Sequence, residues 1–335
     1  MSRQLHTGGA INEAIAIAMR SDPDVILMGE DVAGGGDRSA EGTEEMGGVL
    51  GTTRGLVGEF GMNRVRDTPI AEMGLLGTAV GAAATGLRPI AELMFMDFLG
   101  TSLDPLLNQA AKLRYMFGGK VKVPLTVRTV SGAGMRAAAQ HSQSLYWMTT
   151  GIPGLKTVIP SNPADAKGLL LAAIRDDDPV IFCEAKGILM QLGEVPEGDY
   201  EIPIGKANVV REGSDVSLVA FGATVKVALE AAEALEGAGT RAEVLDLRSL
   251  SPLDETAILD SLEKTGRMVV IDESTPRCSI ARDVAALCVD KGFDFLQAPV
   301  KCVTAPHTPV PFSDVLEKAF LPDAQDVLDA VGEMG

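Results

Sequence analysis

Short apolar runs alternate with segments of helical periodicity along nearly the whole 335-residue chain, and that alternation decides the fold class. A strand, a helix and a further strand in succession close most readily as a parallel pair with the helix packed on one face. Repetition of that unit builds a parallel sheet covered on both sides. In a first block, strands are predicted at 25–28, 90–95, 125–129, 156–159 and 180–183, with helices at 102–116 and 164–174 between them. Ile11, Ala14, Ile15, Ala18 and Met19 share one helical face before Asp22-Pro23 ends that segment. Residues 29–58 gather Gly, Glu and Asp with little periodicity and read as a long surface loop, a kind that often carries function. Residues 187–205 lose periodicity in the same way and read as a linker. A second, more regular block follows, with strands at 216–221, 242–247, 268–272 and 300–304 and helices at 224–235, 255–264, 280–289 and 312–320. The expectation is two doubly wound, mostly parallel α/β domains, 1–190 and 206–335, joined through 191–205.

Charge and composition remove several functional classes. Lys and Arg number 29 against 46 Asp and Glu, and the resulting net charge of −17 repels nucleic acid and anionic membrane surfaces. No apolar run approaches the length of a membrane span, and the opening 22 residues lack the ordered basic stretch, apolar core and cleavage site of a secretory signal. A cytoplasmic protein is expected. Cys183, Cys278, Cys288 and Cys302 form no CxxC pair and lie among aliphatic residues, so they read as reduced, buried thiols. With His6, His141 and His307 the only histidines, a histidine-rich metal centre is a poor reading. Neither a GxGxxG fingerprint nor a GxxxxGK[ST] loop is present, and no GxSxG elbow. Gly132-Ala133-Gly134 reads as a flexible turn after a strand.

Three residues invite a chemical reading. Glu72 opens the segment 72–84, which is apolar on every side and full of small residues, as a helix closely approached by other backbones would be. A carboxyl there is either a proton-sharing group raised in pKa by desolvation or an acid complementing the positive end of a helix. His141, in Gln140-His141-Ser142-Gln143-Ser144, is either an acid or base reaching a cleft or a surface histidine. His307, among Pro306, Pro309 and Pro311, reads as serving local structure.

Several motifs in order point to a family. Gly29-Glu30-Asp31-Val32, Arg66-Asp67-Thr68-Pro69-Ile70-Ala71-Glu72-Met73-Gly74, Gly86-Leu87-Arg88-Pro89, His141-Ser142-Gln143-Ser144 and Asp246-Leu247-Arg248-Ser249-Leu250 together resemble the beta subunit of the thiamine-diphosphate-dependent first component of 2-oxoacid dehydrogenase complexes. The likeness covers nearly the whole chain. Lys112-Leu113-Arg114-Tyr115, Pro276-Arg277-Cys278-Ser279 and Ala305-Pro306-His307-Thr308-Pro309 look most like its acetoin dehydrogenase branch.

The resemblance implies two transketolase-like domains, a pyrimidine-binding one and a C-terminal one, and assigns roles by position. Glu72 matches the acid that hydrogen-bonds the aminopyrimidine ring of thiamine diphosphate, a role for which a desolvated carboxyl suits. Ile70, Met94 and Phe98 match the pyrimidine pocket, with Met94 and Phe98 replacing a glutamine and a tyrosine found in some branches. His141 matches the histidine facing the reacting carbon, and Glu30 an acid in a polar tunnel between active sites. Leu125, Ala173, Ile174, Asp176 and Asp178 match a structural potassium site of some relatives, although 176–178 also reads as an exposed acidic turn. The GDG motif that holds magnesium and the diphosphate is absent from this sequence. The resemblance therefore implies an alpha subunit carrying that half, a two-alpha two-beta heterotetramer, and docking to a lipoyl acyltransferase core. It implies cleavage of acetoin with transfer of the two-carbon unit to lipoamide. Pyruvate or a branched-chain 2-oxoacid is the alternative substrate. A non-catalytic assembly subunit and a single-chain transketolase-like enzyme are readings of other classes, disfavoured by intact Glu72 and His141 and by the missing GDG respectively.

Overall fold

The structure, a computed structural model, describes residues 2–35 and 47–335, so 36–46 of the expected long loop lie outside the described residues. The first block contributes β1 (Ser2–His6), β2 (Val25–Gly29), β3 (Val65–Asp67), β4 (Arg88–Phe95), β5 (Thr126–Ser131), β6 (Lys156–Val158), β7 (Val180–Ala185) and β8 (Leu192–Pro196). The second adds β9 (Asn208–Arg211), β10 (Val216–Ala220), β11 (Ala242–Asp246), β12 (Ser249–Ser251), β13 (Met268–Asp272) and β14 (Lys301–Thr304). Three sheets form among the described residues: the antiparallel pair β1-β8 and two larger sheets ordered β12-β6-β7-β5-β4-β2-β3 and β14-β13-β10-β11-β9, the larger two parallel throughout except where β12 meets β6 and β9 meets β11. Strands β2, β5, β7, β10, β11 and β13 are buried at every residue, which is why most of them read as largely apolar runs and not as an alternation.

Helices start and stop where their local chemistry directs. The Asn162 side chain accepts from the Asp165 amide, with Pro163 at the first position of helix Pro163–Arg175. Helix Glu255–Thr265 opens on Asp254 and closes on Gly266 at φ 69°, a left-handed cap that suits glycine. No helix among the described residues is long and apolar enough to cross a membrane.

The two blocks share one interior. A single buried apolar cluster runs from Ile26, Leu93 and Ile181 of the first to Val219, Leu245 and Val284 of the second. Strand β12, which follows β11 in sequence, leaves the second sheet and pairs with β6 at the edge of the first. Polar contacts add to this: Tyr146 Oη donates to Asp272, Ser161 Oγ to Asp246, and the Arg248 guanidinium grips both Asp165 oxygens at 2.7 Å.

Four expectations change. The predicted helix at 102–116 is three pieces, Leu99–Asp104, a π turn Pro105–Ala110 and Ala111–Met116, because Pro105 has no amide hydrogen to continue the helical ladder. The stretch read as a linker contains β8, which pairs antiparallel with β1. Cys278 is exposed and not a buried thiol. Helix Glu72–Ala84 is not buried on every side. Leu75, Leu76, Ala79, Val80 and Ala83 face the core, whereas Met73, Gly74, Gly77, Thr78 and Gly81 are exposed along one stripe.

Candidate active site

Every residue assigned a role on the cofactor lies near or beyond the carboxyl end of a parallel strand, the edge at which doubly wound sheets bind ligands. Glu30 follows β2. Ile70 and Glu72 follow β3, with Glu72 at the first turn of its helix. Met94 is the penultimate residue of β4, and Phe98 lies in the short turn after it. His141 is in the loop after β5. A register shift in the β4–β5 pairing falls between Leu93 and Phe95, so the strand is bulged at Met94, a device that re-aims side chains.

The geometry joins four of these in two groups, His141 with Phe98 and Glu30 with Glu72. His141 packs edge to face on Phe95 and Phe98, with ring centroids 5.1 and 5.5 Å away, and the two phenylalanines meet each other at 5.8 Å. Glu30 and Glu72 are both half-buried. Burial, followed by the nearby carboxylates of Asp31, Glu72 and Glu92, raises the Glu30 carboxyl above its ordinary value. The acids that the sequence places on different elements thus share one electrostatic environment. Ile70 follows the same strand, but its side chain is 75% exposed.

Beneath this mouth lies a cluster that sequence reasoning missed. Arg128, 1% exposed at the centre of β5, donates to Glu92 on β4 at 2.8 Å, to Glu184 on β7 at 2.7 Å and to Thr52 at 3.1 Å. Burial drives Glu184 upward in pKa and the Arg128 charge opposes it. Glu184 Oε2 and Thr129 Oγ1 have no protein partner, and both residues line a cavity of about 10 Å³ with Met94, room for one water. The signal was there to read: an ionic residue inside each of three otherwise apolar strands, Glu92 in IAELMF, Arg128 in LTVRTV and Glu184 in IFCEA.

Four of the five carbonyls matched to a cation site already have donors. Arg88 Nη1 donates to Ile174 O at 3.3 Å and to Asp176 O at 3.1 Å, Ala173 O accepts from the Asp176 amide and Leu125 O from the Val180 amide. The turn at 176–178 is half-buried and ion-paired, Asp176 with Lys156, Asp177 with Arg88 and Lys122, and Asp178 with Arg114, which corrects the exposed-turn reading. His307 is exposed, on the wall of a cavity of about 370 Å³ between the blocks that Ser142, Trp147 and Glu273 also line.

Comparison with known proteins decides the family. The model of the transketolase pyrimidine-binding domain matches residues 3–191, and that of the transketolase C-terminal domain matches 205–327. The chain is 62% identical over 335 residues to the acetoin:2,6-dichlorophenolindophenol oxidoreductase beta subunit of Bacillus subtilis, covering 100% of this chain and 98% of that one. It belongs to the beta subunits of the acetoin and 2-oxoacid dehydrogenases. Among these beta subunits, the pyruvate dehydrogenase E1 component beta subunit of the same bacterium is further off, 43% identical over 321 residues, 96% of this chain and 95% of that one. A solved structure described as a split gene transketolase, inactive beta4 tetramer, shares the fold at TM-score 0.78 and 22% identity, over 98% of each chain.

Proposed function

We propose that the chain is the beta subunit of a thiamine-diphosphate-dependent acetoin dehydrogenase and that it carries the aminopyrimidine half of the active site. The observation that carries the reading is the convergence of Glu30, Glu72, Phe98 and His141 at one set of strand ends, in a chain 62% identical throughout to an acetoin-named relative. The chemistry of these residues suits an aminopyrimidine: Glu72 offers a half-buried carboxyl, and Phe95 and Phe98 offer aromatic faces beside His141. Bound here, the cofactor would supply the nucleophilic carbon needed to cleave acetoin to acetaldehyde and a two-carbon unit, with the lipoamide disulfide as the oxidant that receives that unit.

The chain's own residues do the rest. Glu72 would hold the aminopyrimidine ring by a hydrogen bond. Phe95, Phe98 and Met94 exclude water. His141, ringed by aromatics, moves a proton at the substrate oxygen. The diphosphate and its magnesium belong to an alpha subunit, because the GDG motif is absent from this chain. The exposed small-residue stripe of helix Glu72–Ala84, beginning at the proposed site, suits close approach by such a partner in a two-alpha two-beta assembly. Docking on a lipoyl acyltransferase core completes the proposed cycle.

Co-expression with the alpha chain tests the reading. Dichlorophenolindophenol reduction is expected with acetoin at a kcat/KM at least tenfold above that with pyruvate. Preference for pyruvate would move the protein to the branch of its 43%-identical relative. Turnover by this chain alone would overturn the half-site assignment.

A further inference from the structure

The loop that carries His141 does not hold itself in place. Between Gly132 and Gln143 its backbone enters the left-handed region four times, at Gly132 (φ 87°), Gly134 (104°), Arg136 (55°) and Ala138 (59°), and two of these residues carry side chains that disfavour it. Such a path turns consecutive amides the same way and creates a concave cluster of N–H groups that wants an anion. The anions present are side chains of the second block. Glu317, 3% exposed on helix Asp314–Phe320, accepts from Gly134 N at 3.1 Å and from Arg136 N at 3.1 and 3.0 Å. Glu273, just beyond β13, accepts from Ala133 N at 2.5 Å, and a side chain at Gly132 would strike its carboxylate. From the first block, Asp97 accepts from the Gln143 amide at 3.1 Å, and Lys186 Nζ donates to the His141 carbonyl while lying 4.8 Å over the Phe95 ring. The Lys186 charge is felt by both Glu273 and Glu317. A buried carboxylate is costly unless its oxygens are satisfied, and the Gly134 and Arg136 amides that satisfy Glu317 both belong to this one loop.

We propose that Glu317, assisted by Glu273, is a positioning residue for His141: the second block holds the loop in the strained path that sets the imidazole against Phe95 and Phe98. This rests on the reading that His141 serves the reaction. On it, the second block takes part in catalysis through the amides it grips and touches no substrate.

Arg136 is exposed and is itself gripped through its amide, so trypsin reads the clamp directly. Glu317→Ala in the full chain is expected to raise cleavage after Arg136 at least tenfold relative to cleavage after the exposed Lys226, as mapped by mass spectrometry. Glu317→Gln, which keeps the size and one acceptor oxygen, is expected to fall between, and carries the test should the alanine variant not accumulate. Assembled with the alpha chain, both variants are expected to lose kcat, the alanine form at least tenfold, with the KM for acetoin within threefold of wild type. Unchanged cleavage after Arg136, or an equal rise at both sites, overturns the clamp. A selective rise with unaltered kcat overturns its role in positioning His141. If wild-type assemblies turn over neither acetoin nor pyruvate, the functional reading has failed, and the protease comparison still judges the clamp on its own.

Discussion

The two sheets are built alike and used differently. Both are parallel stacks with helices on each face, yet the first ends its strands in Glu30, Glu72, Phe98 and the His141 loop. The second ends its strands in groups turned toward its neighbour: Asp246 at the end of β11 with Arg248 beyond it, and Asp272 at the end of β13 with Glu273 beyond it. Chemistry therefore belongs to residues placed on a fold and not to the fold itself, and one copy of an architecture can serve as scaffold for the other.

That contrast breaks most sharply at Glu72. Glu72→Gln is expected to lower acetoin turnover by roughly 10³-fold, within the range for loss of a general acid or base, while circular dichroism and the melting temperature stay near wild type. A large loss of stability would place Glu72 among the scaffold residues instead. Next in size is Arg128→Met, which strands Glu92 and Glu184 in the interior; urea denaturation is expected to show a loss of about 3–5 kcal/mol. A loss below about 1 kcal/mol would mean that water already satisfies the two acids.

In the second sheet the expected effect is on stability and its pH dependence. Burial, partly opposed by the Ser161 hydroxyl, raises the Asp246 carboxyl from an ordinary 3.8 to about 7. The folded chain then holds a proton there that the unfolded chain has released across pH 4 to 7. This contribution to stability is full below about 4 and is lost as pH rises through 7. Asp246→Asn is expected to flatten that slope, so the melting temperature of wild type should gain a few degrees on the variant between pH 8 and pH 5. A parallel response in both proteins would show that Asp246 is ionised throughout. The smallest expected effect is exchange of potassium for sodium, a shift of about a degree or less, because Arg88 already sets positive charge against the carbonyls of Ile174 and Asp176. A shift of several degrees would demand a bound cation beside that guanidinium.

Much of the fold was legible because doubly buried strands are predominantly apolar. Strand β13 is predicted at its observed limits, and β2, β10 and β11 differ by a single residue. What escaped were strands whose existence depends on a neighbour. In β8 only Val195 is buried, and β12 is three residues long; neither has a pattern of its own, and both are strands because β1 and β6 pair with them. The helix at Glu72 misled for another reason. Gly, Ala and Thr are small enough for either environment, so an exposed stripe of them leaves no polar periodicity to read. At the site, motif resemblance supplied Glu72 and His141. Nothing local could supply Glu317, whose distance in sequence from Arg136 hides a contact of 3.0 Å.

Strand β12 also governs how the protein can be divided. Cutting the chain between the blocks would strip a strand from the rim of the first sheet and bare the backbone of β6 to any passing extended segment, an open invitation to aggregation. The amino-terminal piece would thus be a poor stand-in for the intact molecule. Denaturation should likewise run through both halves in one cooperative event, since neither can loosen without the other losing part of its own sheet or core.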